Sequence, residues 1–127
     1  MASGRVKLFF DGGCRPNPGP MEAAVVVRGV IHLFDNLGLG TNTDAEWTAL
    51  LHALDLAHRM DWKNVELVGD SLQVIQEANA ALSSGTAGHV HAAEFLTAIG
   101  KVRPARIRWI KRTQNLAGIA LAARHPR

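Results

Sequence analysis

A short apolar run that ends abruptly on an acid constrains the fold of this chain more than any other feature. The run from Val6 to Phe10 suits a strand that is buried on both faces. Asp11 follows directly, and residues 12–20 are rich in glycine and proline, which permit close backbone approach and stiffen turns. This stretch predicts either an ordinary turn that begins at Asp11 or a rigid loop beside a carboxylate that holds a metal ion or phosphate.

The composition fits one compact domain. The chain has 127 residues, and 47% of them are hydrophobic, which is enough for a real core and argues against disorder. No apolar run approaches the ~20 residues that a bilayer requires, and residues 1–5 carry no signal-peptide core. The single Cys14 cannot form an internal disulfide, which fits a reducing compartment. We therefore expect a single cytoplasmic domain over residues 1–127, monomeric and without a membrane partner.

Positive charge is concentrated in the last third of the chain. No Asp or Glu follows Glu94. The basic residues of this region are Lys101, Arg103, Arg106, Arg108, Lys111, Arg112, Arg124 and Arg127. Such a region is typical of a surface that binds a polyanion, although a solvated basic surface gives the same pattern.

The predicted elements follow the order β-β-β-α-β-α-α-β-α. Strands are predicted at 5–11, 23–30, 31–36, 65–68 and 105–111. A first helix is predicted after N-cap candidates at 41–44, with an apolar stripe from Trp47 to Met60, and further helices at 72–82, 89–99 and 116–123. A hairpin turn is predicted at Arg28-Gly29, and Asn115 is expected to cap the last helix. Short turns between the first strands predict an antiparallel meander, and the later βα units predict parallel strands. The fold class is therefore α/β, with a mixed five-stranded sheet (three antiparallel then two parallel strands) flanked by helices.

Three acids occupy related places in this arrangement. Asp11 and Asp70 each follow an apolar strand, and Glu46 opens the intervening helix. If the two strands are parallel neighbours, both aspartates emerge at one sheet edge, where ligands of open α/β sheets bind. Clustered carboxylates repel one another, and a hard divalent cation such as Mg²⁺ relieves that repulsion. Glu46 also has a purely structural interpretation, because the helix dipole favours a carboxylate in the first turn.

Four sequence blocks occur in order along nearly the whole chain. They are Asp11-Gly12-Gly13-Cys14 with Asn17-Pro18-Gly19-Pro20, then Thr41-Asn42-Thr43-Asp44-Ala45-Glu46, then Asp70-Ser71, and finally Arg112-Thr113-Gln114-Asn115 with Leu116 to Ala122. Together these blocks resemble the type I ribonuclease H family. The resemblance implies an RNase H-like fold and endonucleolytic hydrolysis of the RNA strand of RNA–DNA hybrids. It implies two Mg²⁺ ions about 4 Å apart as cofactors, for which Mn²⁺ can substitute. Integrase, transposase and resolvase-like nuclease cores share an acid-tipped sheet, but the first two blocks argue against them.

The resemblance also assigns roles to individual residues. Asp11 would bridge both ions, while Glu46 and Asp70 would complete the ion beside the leaving 3′-oxygen. The residues that would contact the RNA–DNA hybrid are Gly12, Gly13, Cys14, Asn17, Asn42, Thr43, Ser71, Arg112 and Asn115. Contacts to the RNA 2′-hydroxyl would distinguish RNA from DNA. For Cys14, packing in a tight loop is an alternative.

The fourth carboxylate of the family is missing. Its position, four residues after Asn115, is Ile119, which cannot ligate a metal. In the family that acid helps to hold the ion that activates the attacking water. Three explanations stay open: a weakened ion site held by Asp11, waters and substrate phosphate; a substitute group, for which His125 is nearest in sequence; or a catalytically inactive hybrid-binding module.

Three smaller expectations concern packing and substrate grip. Ile119 is expected to pack with Leu116 and Ala123 at helical spacing, and Trp47 and Trp109 are expected in the core. Residues 83–88 include no basic residue, so the chain lacks the basic helical handle of some family members. The resemblance is therefore to a compact form whose grip on the hybrid depends on the C-terminal Arg and Lys residues.

Overall fold

The computed structural model describes residues 4–125. Its strands are β1 (Val6–Cys14), β2 (Gly19–Val27), β3 (Val30–Phe34), β4 (Leu39–Gly40), β5 (Val65–Gly69) and β6 (Arg106–Trp109). Its helices are α1 (Asn42–Arg59), α2 (Leu72–Ser84), α3 (Val90–Ala98) and α4 (Leu116–Ala123), with a 3-10 turn at Arg112–Gln114. Residues 1–3, part of the stretch for which the sequence predicts no signal-peptide core, lie outside the described residues, as does Arg127 of the basic region.

The predicted mixed sheet is confirmed. Its strand order is β3-β2-β1-β5-β6, with β1, β2 and β3 antiparallel and β1, β5 and β6 parallel. The two-residue strand β4, which the sequence did not predict, pairs with the beginning of β2. Because β1 and β5 are parallel neighbours, their carboxyl ends lie at the same edge of the sheet.

The segment after Asp11 is mostly strand, and the prediction of a loop there was wrong. β1 continues to Cys14 and β2 begins at Gly19, so the turn occupies only the residues between them. Gly12 instead allows close packing of α1 on β1, because a Cβ at this residue would lie 2.0 Å from the carbonyl oxygen of Ala45 in α1. Only glycine lets the helix approach the strand this closely.

The hairpin turn predicted at Arg28–Gly29 is confirmed. Both residues have positive φ, 52° and 79°, as the central residues of a type I′ turn require. The β2 and β3 strands nevertheless lie closer to the N-terminus than the predicted ranges 23–30 and 31–36, since β2 begins as soon as the proline-rich turn ends.

The core has two unequal parts. The larger lies between the sheet and α1, α2 and α3, and it includes Trp47 as predicted. The smaller lies on the other face, where Ala117 and Leu121 of α4 contact β2. Trp109 is 43% exposed and Ile119 is 52% exposed, so both packing predictions for them were wrong. Trp109 is exposed because it lies on β6, an edge strand of the sheet. Ile119 is exposed because it lies on α4, a helix of eight residues that covers only part of this face.

The connection between α2 and α3 is short and carries no basic helix. It runs from Gly85 to His89, in agreement with the compact form expected from the sequence. None of the helices in residues 4–125 combines the length and apolarity needed to cross a membrane.

Candidate active site

Three acids converge at the carboxyl-terminal edge of β1 and β5. One side-chain oxygen from each of Asp11, Glu46 and Asp70 lies within 4.8 Å of the others. Asp11 lies in β1, Asp70 directly follows β5, and Glu46 lies in α1, which packs on β1. The structure thus brings together the three residues that the sequence predicts as one group.

Glu46 is held in place by the strand beneath it. Its side chain is only 7% exposed, and its Oε1 accepts a 2.6 Å hydrogen bond from the backbone N–H of Gly12. The start of α1 is fixed by a capping box, in which Thr41 and Asp44 each accept a hydrogen bond from the other's backbone N–H. Asp44 is therefore the acid of the first turn, and the helix-dipole interpretation of Glu46 was wrong.

Asn115 orients Asp70 from the opposite side. It is fully buried, and its Nδ2 donates to Asp70 Oδ2 at 2.8 Å and to the Phe10 carbonyl oxygen at 3.0 Å. Its Oδ1 caps α4, as predicted, by accepting from the backbone N–H of Ala117. Since its amide is used within the protein, Asn115 is a positioning residue, and the expectation that it touches the hybrid is corrected.

The electrostatics of the cluster are unfavourable when it carries its full negative charge. Burial raises the pKa of Asp11 to about 6; a hydrogen bond with Glu46 opposes this rise, and the charge of Asp70 adds to it. Burial also raises the pKa of Glu46 well above its usual range, and the charge of Asp11 raises it further. A cation among these groups would remove this cost.

The donor set fits a hard divalent cation. It consists of carboxylate oxygens, the ligands that Mg²⁺ and Mn²⁺ prefer. A Cβ on Gly118 of α4 would lie 3.5 Å from Asp11 Oδ2 and 3.6 Å from Asp70 Oδ2. Because that residue has no side chain, α4 passes close to both aspartates without filling the space beside them.

A cavity of about 570 Å³ opens beside Asp11 and Glu46. Its walls come from β1, the beginning of α1, the 3-10 turn and α4, and it includes the predicted residues Gly12, Gly13, Cys14, Asn42 and Arg112. The Arg112 side chain is 87% exposed, with Nε 4.0 Å from Asp70 Oδ1. Arg15 provides a second guanidinium at the cavity wall.

Cys14, Asn17 and Asn42 form a hydrogen-bonded group, of which Cys14 and Asn42 line this cavity. Asn42 Oδ1 accepts from the Cys14 backbone N–H at 3.1 Å, and Asn17 Oδ1 accepts from the Asn42 backbone N–H at 3.1 Å. The Cys14 side chain packs with Met21 and Ala45, which agrees with the packing alternative. Within the described part of the chain, neither asparagine uses its Nδ2 as a donor, so both are available to a ligand.

Other predicted residues have structural roles or lie apart. Ser71 caps α2 by accepting from the Val74 backbone N–H, and Thr43 is exposed on the first turn of α1. Among the basic C-terminal residues described, Arg112 lines the cavity, whereas Arg108 pairs with Glu66 and Arg124 pairs with Asp35.

Sequence reasoning missed Glu22. This β2 residue lines the same cavity as Asp11 and Ile119, and it is also the residue that His125 contacts, with Nε2 2.6 Å from Glu22 Oε2. His125 does not itself line that cavity. The only available signal was the place of Glu22 two residues after Pro20, and its significance depends on a strand register that the sequence does not reveal.

Comparisons with known proteins agree with this fold and site. Residues 9–125 match the model of the family described as reverse transcriptase-like. Ribonuclease HI of Halobacterium salinarum is 40% identical over 83 residues, which is 61% of this chain and 42% of that protein. The chain spans about half the length of the curated relatives that it matches.

Two solved structures extend the comparison. RNase H1 from Halobacterium salinarum has a TM-score of 0.67 at 33% identity, with 94% of this chain and 99% of that chain covered. LC11-RNase H1 in complex with an RNA/DNA hybrid has a TM-score of 0.67 at 26% identity, with 87% and 88% covered. With a family model that matches nearly the whole chain and a solved relative covered almost end to end, this chain belongs to the reverse transcriptase-like family and, within it, to the type I ribonucleases H.

Proposed function

We propose that this chain hydrolyses the RNA strand of RNA–DNA hybrids endonucleolytically, with Asp11, Glu46 and Asp70 as its catalytic residues. The observation that carries the proposal is the convergence of these three carboxylates within 4.8 Å of one another, with Asp11 and Glu46 at the wall of an open cavity. Family membership supports it, and one similar structure is an RNase H1 in complex with an RNA/DNA hybrid.

The three acids would hold Mg²⁺, with two ions proposed and Mn²⁺ as a substitute. Asp11 is the proposed shared ligand, because it lies against both Glu46 and Asp70. When bound, the ions would supply Lewis-acid stabilisation of the phosphate and a more acidic attacking water. The protein's part is to keep the carboxylates in position: Gly12 fixes Glu46, and Asn115 fixes Asp70.

The cavity walls provide groups that suit a hybrid backbone. The exposed guanidinium of Arg112 lies beside Asp70, where it can bind a phosphate oxygen next to the reacting bond. The Nδ2 groups of Asn17 and Asn42 are donors suited to sugar hydroxyls, and recognition of the 2′-hydroxyl selects RNA. We assign Gly12, Gly13 and Cys14 to the floor of this binding surface.

A second candidate function is hybrid binding without catalysis. The observation that favours it is Ile119, which lines the cavity in place of an acid and is 52% exposed there. On this alternative the hybrid is bound by the same walls, but the cation site beside Asp11 is too weak to support hydrolysis.

A cleavage assay separates the two functions. Purified protein is incubated with end-labelled RNA–DNA hybrid, with matched double-stranded DNA and RNA as controls, over a range of Mg²⁺ and Mn²⁺ concentrations. Cleavage of the hybrid RNA by the wild type, lost in Asp70→Asn, supports the enzyme. Hybrid affinity that survives Asp70→Asn, without cleavage by the wild type at any metal concentration, supports the binding module. Absence of both cleavage and hybrid affinity contradicts both.

A further inference from the structure

We propose that Glu22 supplies, from β2, the carboxylate that α4 lacks at Ile119, as an oxygen donor to a cation beside Asp11. This inference rests on the proposed function, because it names a further residue of the same metal site. It replaces the suggestion that His125 substitutes for the missing acid.

The sheet register places Glu22 on the same face as Asp11. In the antiparallel pair of β1 and β2, Asp11 is opposite Ala24 and Gly13 is opposite Glu22. Opposed residues point to the same side of a sheet, and residues two apart in a strand share a face. Asp11 and Glu22 are therefore diagonal neighbours, which typically lie about 7–8 Å apart. The other two residues of this arrangement on the same face are Gly13 and Ala24, so only a methyl group lies beside the two carboxylates.

This face is the one that α4 covers. Ala24, next along β2 on the same side, packs against Ala117 and Leu121 of α4. Glu22 lines the cavity together with Asp11 and Ile119, and its side chain is only 13% exposed. Glu22 of β2 thus lines the same cavity that residue 119 lines from α4.

The neighbours of Glu22 hold its carboxylate in place but leave acceptor positions on both of its oxygens. Oε1 accepts from Arg124 Nη1 at 3.3 Å, and Oε2 lies 2.6 Å from His125 Nε2. An ionised carboxylate has about four acceptor positions, so lone pairs remain on both oxygens. Carboxylates that ligate metals are themselves commonly held by such hydrogen bonds.

The local charge balance leaves Glu22 available to a cation. Arg124 is shared between two acids, since its Nη2 also donates to Asp35 Oδ2 at 2.9 Å. The two carboxylates of Glu22 and Asp35 therefore share the single positive charge of Arg124. Asp35 and Glu22 both line a neighbouring cavity, but of these two acids only Glu22 also lines the cavity of Asp11.

The alternative is that Glu22 only fastens the end of α4 to β2. Glu22 and Asp35 both hold Arg124, but only Glu22 lines the cavity of Asp11. Asp35→Asn is therefore the matched control for Glu22→Gln. Each substitution removes one carboxylate partner of Arg124, but only Glu22→Gln removes a potential ligand of the cation beside Asp11.

The test is a Mn²⁺ titration of the full chain without nucleic acid, with free Mn²⁺ measured by electron paramagnetic resonance. We expect two ions on the wild type. In Glu22→Gln the weaker ion should lose about tenfold or more in affinity while the tighter ion is unchanged. Asp35→Asn should bind both ions as the wild type does, and Glu22→Gln/Ile119→Asp should regain the weaker ion. Circular dichroism of each variant reports its folding.

Three results would overturn the proposal. These are unchanged binding of both ions in Glu22→Gln, an equal loss in Asp35→Asn, or a single ion on the wild type. Because no hybrid is present, the result is independent of cleavage. If Glu22→Gln loses the weaker ion but the wild type never cuts hybrid, only the proposed function is contradicted. If the wild type cuts hybrid but Glu22→Gln binds both ions as the wild type does, only the role of Glu22 is contradicted.

Discussion

Asn115 and Asp70 are joined by a 2.8 Å hydrogen bond from the side-chain amide of the asparagine to Oδ2 of the aspartate. The same amide donates to the carbonyl oxygen of Phe10, the residue before Asp11. One buried side chain at the start of α4 therefore contacts both β1, at the residue before Asp11, and Asp70, which directly follows β5. This links the packing of α4 directly to the geometry of the candidate metal site.

Asn115→Ala should therefore damage both stability and catalysis. It removes the cap of α4 and leaves the buried Phe10 carbonyl oxygen without this partner, at a combined cost of about 2–4 kcal/mol in the free energy of unfolding. The rate of hybrid cleavage should also fall, because Asp70 loses a partner that orients it. Denaturant unfolding and cleavage rates below the melting transition test this.

Asn79→Ala is the matched control for that change. Asn79 also donates from Nδ2 to a backbone carbonyl oxygen, that of Ile107, but far from the acids. It should lose stability with an unchanged cleavage rate. Equal cleavage rates for Asn115→Ala and the wild type would contradict the positioning role.

Gly12 and Gly13 should respond very differently to alanine. A Cβ on Gly12 would lie 2.0 Å from the backbone oxygen of Ala45, whereas a Cβ on Gly13 would lie 3.8 Å from Asn42 Oδ1. Gly12→Ala should therefore lower the free energy of unfolding by about 3 kcal/mol or more and displace Glu46 with α1. Gly13→Ala should change stability by less than about 1 kcal/mol. Similar melting temperatures for the two variants would contradict the close helix–strand packing.

The sequence predicted those parts of the fold that depend on hydrophobic patterning. The βα units predicted parallel strands, and β1 and β5 are the parallel neighbours that the expected meeting of Asp11 and Asp70 required. Hydrophobic patterning did not predict the structure where contacts between residues distant in sequence decide it. Glycine favours turns, so the sequence predicts Gly12 in a loop. The neighbouring residues carry no signal that a helix packs against it.

The site was predicted less completely than the fold for a related reason. Glu46 and Asp70 lie in recognisable blocks, but Glu22 reaches the cavity only through the exact pairing of β1 and β2. The position of Ile119 was also misjudged, since helical spacing with Leu116 predicts a shared face but not that this face is exposed. Both depend on contacts between residues distant in sequence.

Ile119→Asp should strengthen the cation site. Ile119 is half exposed, so its replacement removes little packing, and the new carboxylate would face the cavity shared with Asp11. We expect cleavage at limiting Mg²⁺ to rise by about tenfold, equivalent to about 1.4 kcal/mol of ion binding, with a smaller effect at saturating Mg²⁺. Cleavage rates over a Mg²⁺ titration test this.

Ile119→Asn is the control for Ile119→Asp, because it is of similar size and polar but uncharged. A rate gain shared by both variants would contradict the charge-based explanation. Failure of both Ile119→Asp and the wild type to cut hybrid in Mg²⁺ or Mn²⁺ would contradict the enzyme.

Asp11→Asn should abolish cleavage and yet stabilise the metal-free protein at neutral pH. The pKa of Asp11 is raised from 3.8 to about 6 in the folded state, chiefly by burial. A raised folded-state pKa means that the folded protein binds the proton more tightly, so this contribution to stability is complete below about pH 4 and is lost as pH rises through about 6.

The metal-free wild type should thus lose about 1–3 kcal/mol in the free energy of unfolding between pH 4 and pH 7.5 from this group. Asp11→Asn should flatten that decline, and Mg²⁺ should offset it in the wild type by favouring the ionised carboxylates. Melting temperatures across this pH range, with EDTA or Mg²⁺, provide the measurement; an equally steep decline in Asp11→Asn would show that other groups cause it.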